Sequence, residues 1–132
     1  MVKHTPELIT ELPENCIFVF GSNTAGIHGS GAALLARKHF GAQLGIGEGL
    51  TGQCYAFPTL NGDSRGGLIL EKRTDEEIWW SALRFYNTVR MHPEKIFLLT
   101  KVGCGLAGYD EDFMSGFFYE MNQPNLIKPE GW

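Results

Sequence analysis

One arrangement occurs twice in this chain, and it limits the folds available more than any other feature. "CIFVF" (Cys16 to Phe20) runs into "GSNTAGIHGSG" and then an Ala/Leu-rich stretch; "KIFLLT" (Lys95 to Thr100) runs into "KVGCGLAGYDED" and another helix-like stretch. Each contains a continuous apolar run rich in β-formers, the pattern of a strand buried on both faces. Each continues into a loop of small residues too long for a simple turn. In open α/β sheets, ligands gather where such loops leave the carboxyl ends of strands and enter helices. Glycine lets the backbone come close to a ligand, and amides at a helix start attract anions.

The remaining segments fill in the same plan. Gly29 to Phe40 has helical composition, with Arg37, Lys38 and His39 in its last turn and Gly41 as a stop. Gly41 to Gly52 reads as a glycine-rich connection, "CYAFPT" (Cys54 to Thr59) as a strand ending at Pro58, and Leu68 to Leu70 as a short extended segment. Thr74 and Glu77 have capping-box spacing, and Ile78, Trp79, Ala82, Phe85, Tyr86 and Val89 recur at helical intervals up to His92-Pro93. The spacing predicts a helix over about 110–121 with Phe113, Phe117 and Met121 on one face, and Asn125 to Pro129 as a last strand. Alternating strands and helices predict one three-layer α/β/α domain with a mixed central sheet over residues 1–132.

Composition excludes several function classes. With 11 basic and 15 acidic residues the net charge is −4, so no broad face for a nucleic-acid polymer is expected. The mixed-sign run Glu71-Lys72-Arg73 reads as solvated surface. Cys16, Cys54 and Cys104 include no CxxC pair, which predicts buried thiols in a reducing compartment and no metal centre. The first residues, "MVKHTPELITELPEN", lack an apolar leader core, and no 18-residue apolar run occurs, so a cytoplasmic protein without membrane attachment is the expectation. Glycine is the outlier: 17 of 132 residues, nearly twice the usual share, clustered in four separate loops. "GSGAAL" (Gly29 to Leu34) matches the dinucleotide fingerprint only in part, because Leu34 occupies its last glycine position, and GxxxxGK[ST] is absent.

Together, "GSNTAGIHGSGAALLARKHFGA" and "KVGCGLAGYDEDF" resemble the ADP-ribose-binding macrodomain pattern over about 16–118. The likeness is strongest to the branch whose second loop begins "GCGL", and the chain also resembles short proteins of bacteriophages and bacteria. The resemblance implies a macrodomain-like fold with no cofactor and an ADP-ribose-like small molecule as partner. Gly21, Ser22 and Asn23 would lie at the first strand's end, with Asn23 near the distal ribose. Gly29, Ser30 and Gly31 would face the diphosphate from one side, and Gly103, Cys104, Gly105, Leu106, Ala107, Gly108 and Tyr109 from the other. The related hydrolytic branch has a lysine after a central strand and an aspartate just after "GCGL"; here the corresponding places hold "FPTLN" and Ala107.

The individual residues leave alternatives open. Asn23 serves either the ligand or a turn. His28 is either a phosphate-binding or acid–base group, or an exposed loop residue. Tyr109 either stacks on a base or covers the loop. Asp110 is a helix cap or a proton-transfer group, Glu48 is a remaining acid in a glycine loop, and Cys104 is a small lining residue or a nucleophile. Three functions follow as expectations: a nucleotide-binding module, which in a phage would sequester a signalling nucleotide in the host cytoplasm; a hydrolase of ADP-ribosyl bonds using Asn23, His28 and Asp110; or a phage interaction protein without a small ligand.

Overall fold

The computed structural model describes residues 3–132. It is a mixed α/β domain with a six-stranded sheet: β1 (Cys16–Asn23), β2 (Gly49–Thr51), β3 (Cys54–Asp63), β4 (Ile69–Lys72), β5 (Ile96–Leu99) and β6 (Leu126–Ile127). The helices are α1 (Gly31–His39), α2 (Asp75–Met91) and α3 (Glu111–Ser115). The strand order is β2-β3-β1-β5-β6, with β4 paired to β3. β1 runs parallel to both β3 and β5, and β5 is parallel to β6; β2 and β4 are antiparallel to β3.

Strand alternation sorts the core into two layers. Cys16, Phe18 and Phe20 of β1 pack with Cys54, Ala56 and Leu98 against Ala36 and Phe40 from the α1 region, and with Ile9. Ile17 and Val19 face the other way, with Tyr55, Phe57, Phe97 and Leu99 against Ile78, Phe85 and Val89 of α2 and Met114 and Phe118 around α3. This alternation is the side-chain period of two that a strand imposes. The chain goes from β1 to β3 past α1 on one face, then from β3 to β5 past α2 on the other. Opposite faces for opposite directions are what a constant crossover hand requires.

The helix α2 follows its sequence signals closely. The Thr74 hydroxyl accepts from the Glu77 amide, and the Glu77 carboxylate accepts from the Thr74 amide at 2.9 Å, a complete capping box. Phe85 is fully buried at the centre of an aromatic cluster, its ring 5.0 Å from Tyr55, 6.1 Å from Phe97 and 6.0 Å from Phe118.

Several expectations need correction. β3 does not stop at Pro58 but continues to Asp63. Pro58 lies between the residues paired to β2 (54–56) and those paired to β4 (60–63), where no antiparallel neighbour requires the N–H that proline lacks. The Gly41–Gly52 connection contains a strand, β2. The helix expected over 110–121 is only five residues long; Met121 is buried in the core as expected, but Phe113 and Phe117 only flank it half-buried, and the fully buried side chains of the segment are Met114 and Phe118. Glu71 and Lys72 are exposed as expected, but Arg73 is not merely solvated: its guanidinium donates to the Pro58 carbonyl at 3.1 Å and the Ser81 hydroxyl at 2.8 Å.

Phe85→Ala should lower unfolding free energy by about 3–5 kcal/mol, as measured by urea titration. A loss below about 1 kcal/mol would show that the aromatic cluster can close around the gap.

Candidate functional site

The carboxyl ends of β1 and β5 are neighbours, yet the chain leaves β1 toward β3 and leaves β5 toward β6. That divergence is a topological switch point, the place in an open α/β sheet where a crevice opens. A cleft of about 670 Å³ lies there, within the size range of small-molecule sites. Both glycine loops line it. Of the residues the sequence nominated, Gly21, Ser22, Asn23, Gly29, Ser30 and Gly31 form one wall, and Gly103, Cys104, Gly105, Leu106 and Ala107 the other.

The walls meet at their base because both lack a side chain there. A Cβ on Gly21 would stand 3.2 Å from the Gly103 amide nitrogen. Gly103 has φ +79°, and a Cβ on it would come 3.0 Å from the Tyr109 ring and 3.2 Å from Thr59. At this point the fold itself requires glycine. Gly29 and Gly105 are different. Neither has a positive φ, and a Cβ on either would meet nothing within 4 Å.

The first loop is fastened from within and from behind. The Asn23 carboxamide donates to the Ile27 carbonyl at 2.8 Å and accepts from the Ile27 amide at 3.3 Å, clamping the 23–27 loop on itself at the cleft edge. Behind it, the 41–48 segment acts as a brace. The buried Ser22 hydroxyl donates to the Gly47 carbonyl, and the Gly45 amide donates to the Gly26 carbonyl at 2.8 Å. Glu48 does not face the cleft. Its carboxylate accepts from Arg84 Nη2 at 3.0 Å and from Ser81 at 3.2 Å, tying the brace to α2.

The second loop is held by the β3–β4 hairpin. Tyr109 donates its hydroxyl to the Thr59 carbonyl at 2.8 Å, accepts from the Arg73 amide at 2.8 Å and stacks on Phe113. It is therefore a strut outside the cleft lining, as is Gly108, whose carbonyl accepts from Lys72 at 3.3 Å. The same hairpin reaches the first loop, where the Gly62 amide donates to the Thr24 hydroxyl at 2.8 Å. Both walls thus share one support.

The proton-transfer candidates do not converge. His28 is neither an exposed loop residue nor a cleft group: it is 1% exposed and turned inward, edge-on to the Phe20 ring at 5.1 Å. Asp110 caps α3 by accepting from the Asp112 amide at 3.3 Å and does not line the cleft. Cys104 does line it, but burial pushes its thiol up to about 11, with Glu111 adding to the rise, so the thiolate needed for nucleophilic attack is disfavoured.

Residues without a distinctive sequence signal complete the cleft. Thr59, Thr100 and Lys101 line its base and side, with Lys101 paired to Glu111 at 3.3 Å. Leu8, Leu68 and Leu70 rim it and are exposed, beside the already nominated Leu106, which is 85% exposed. Only contacts made through the third dimension mark these residues out. Among the described residues, no cluster of His, Cys, Asp or Glu could hold a metal, and no helix is long and apolar enough to cross a membrane.

Gly47→Ala should destabilise the protein by about 1–3 kcal/mol through overpacking, because a Cβ there overlaps the Asn23 carbonyl oxygen and lies 2.9 Å from Thr24 Cα. Thermal denaturation of the variant checks this; an unchanged midpoint would show that the brace moves freely. Comparisons with protein-family models, with curated proteins and with solved structures find no match to this chain.

Proposed function

We propose that the cleft binds ADP-ribose or a related ADP-ribose-derived nucleotide, with the diphosphate between the two glycine loops. The observation that carries this reading is the bare backbone at Gly29 and Gly105, one on each wall, where the fold itself imposes no need for glycine. Unhindered backbone on both sides of a crevice suits a ligand that must approach main-chain amides closely, as a phosphate does. The start of α1 adds to this. Ser30 holds the N-cap position without a side-chain capping bond, leaving the first-turn amides of α1 uncapped beside the cleft. The resemblance of both loops to the macrodomain pattern supplies the ligand class, and the exposed leucines at the rim offer apolar surface for a base.

Binding is favoured over hydrolysis because none of the proposed acid–base groups presents a free titratable atom to the cleft. The Asn23 carboxamide closes its own loop, His28 faces inward and Asp110 caps a helix. A module that holds its ligand intact fits these placements, and sequestration of a signalling nucleotide is the use such a module would serve.

Calorimetric titration with ADP-ribose tests the reading. Saturable heat is expected from the wild type, with ligand recovered unchanged; absence of heat at millimolar ligand would refute it. Gly29→Ala and Gly105→Ala should keep or slightly raise stability, by up to about 1 kcal/mol, while weakening binding on the order of tenfold, equivalent to about 1.4 kcal/mol. Unaltered affinity in both variants would mean that the ligand does not pass between these two backbones.

A further inference from the structure

His28 is the buried polar side chain that the binding reading leaves without a task. Its two ring nitrogens are inaccessible to solvent, and neither makes a hydrogen bond. Buried imidazoles almost always find a partner, so an orphan inside a loop that lines a cleft calls for a physical account. Ile27 and Gly29, its sequence neighbours, both face the cleft, while His28 turns the opposite way. The imidazole therefore fills the space beneath the loop, between Phe20 of β1 and the brace segment near Ile46. Glycines in the left-handed region bracket the 27–30 stretch, Gly26 at φ +70° and Gly31 at +57°; Gly26 is pinned to the brace through the Gly45 amide, and a Cβ on Gly31 would meet nothing within 4 Å.

The charged surroundings favour only the neutral ring. From α1, Arg37 acts on His28 with a charge of the same sign as an imidazolium. From β1 the neighbour is a phenyl ring, and "GSNTAGIHGSG" itself contains no other charged group. Glu48, at the end of the brace, is already bonded to Ser81 and Arg84. The Ile46 backbone lies near enough to favour the charged form but lacks hydrogen-bond geometry, and burial outweighs it, holding the ring below its ordinary pKa of 6.5.

We infer that His28 is a pH-sensitive positioning residue: its neutral ring wedges the 21–31 loop against β1 and the brace, and its protonation releases that loop. The inference rests on the binding reading for its effect on the ligand, but not for its effect on the loop. The sign follows from linkage. A histidine whose pKa is lowered by folding costs nothing while both states are neutral, above 6.5. As pH falls below that value the unfolded or opened state takes the proton first, and the closed loop loses stability until the folded-state pKa is passed. Affinity then falls by up to about tenfold for each pH unit between 6.5 and the folded-state pKa, and levels off below it.

Two measurements on wild type, His28→Leu and His28→Met at pH 7 and pH 5 test this. Hydrogen exchange should show protection factors across 22–31 falling at pH 5 in the wild type relative to those of α2, and staying level in at least one of the neutral variants. ADP-ribose affinity, read by calorimetry, should follow the same pattern, with that variant binding like the wild type at pH 7. A loop whose protection falls equally in wild type and in both variants overturns the inference, as does a wild-type loop whose protection does not change. If ADP-ribose binds none of the proteins at either pH, the binding reading fails, and the exchange data alone still decide the role of His28.

Discussion

Gly21, near the end of β1, and Gly103, in the loop that follows β5, pass so closely that a side chain on Gly21 would press on the Gly103 amide and one on Gly103 would press on Tyr109 and Thr59. Everything that makes the cleft follows from this contact. With the bases of the two loops pressed together, the loops can only diverge upward, one toward α1 and the other toward α3. The opposite directions taken by the chain after β1 and β5 then open a crevice lined largely by main chain. A bulky residue at position 21 would push the 102–103 backbone away, and one at position 103 would displace the Tyr109, Thr59 and Met114 side chains that hold the second loop. The glycines thus set the width of the site before any ligand is considered.

A crevice of this kind is only useful if its walls hold still, and glycine-rich loops do not do so unaided. Three supports supply the order. The Asn23 carboxamide closes the first loop on itself, the 41–48 brace presses on it from behind, and the β3–β4 hairpin touches both loops through Thr24 and Tyr109. Glu48, Arg84, Ser81 and Arg73 extend that support into α2 and the hairpin through hydrogen bonds that link charged side chains to neutral ones. The chemistry spent on this scaffolding is unavailable to a reaction. Of the acids and bases close to the loops, Glu48, Asp110 and Arg73 are committed to structure, and Lys101 and Glu111 face each other.

The two walls of the cleft were legible in the sequence because they depend on local signals: a buried strand, a run of glycines and the start of a helix. Eleven of the thirteen residues nominated for the ligand line the cleft, and the two that do not, Gly108 and Tyr109, are the last of the second loop. Tyr109 was ambiguous because an aromatic residue after a glycine loop has the same sequence appearance whether it faces a ligand or packs beneath it; its partners Thr59 and Arg73 lie 50 and 36 residues away. The same limit hid β2, three residues within a glycine-rich connection, whose pairing exists only once Cys54 to Ala56 offer an edge. Pro58 misdirected the end of β3, since its meaning depends on which neighbours flank it.

His28 shows most clearly how placement alters meaning. In the string "AGIHGSG" it reads as a polar residue in a polar loop, yet the loop curls so that its neighbours face outward and it faces in. An apolar residue of similar size would fill that space without leaving two nitrogens unsatisfied, a cost of about 1–3 kcal/mol for one buried polar group. A fold that retains such a group either tolerates the cost or uses the instability it brings. The location favours use: the orphan lies beneath the wall that would hold a phosphate, between two glycines in the left-handed region, and beside an arginine that opposes its charging. The same imidazole elsewhere in the core would weaken the whole protein on acidification. Here the unpaired buried group and one wall of the cleft belong to the same short segment, so under the proposed switch a proton reaching His28 would act first on that wall.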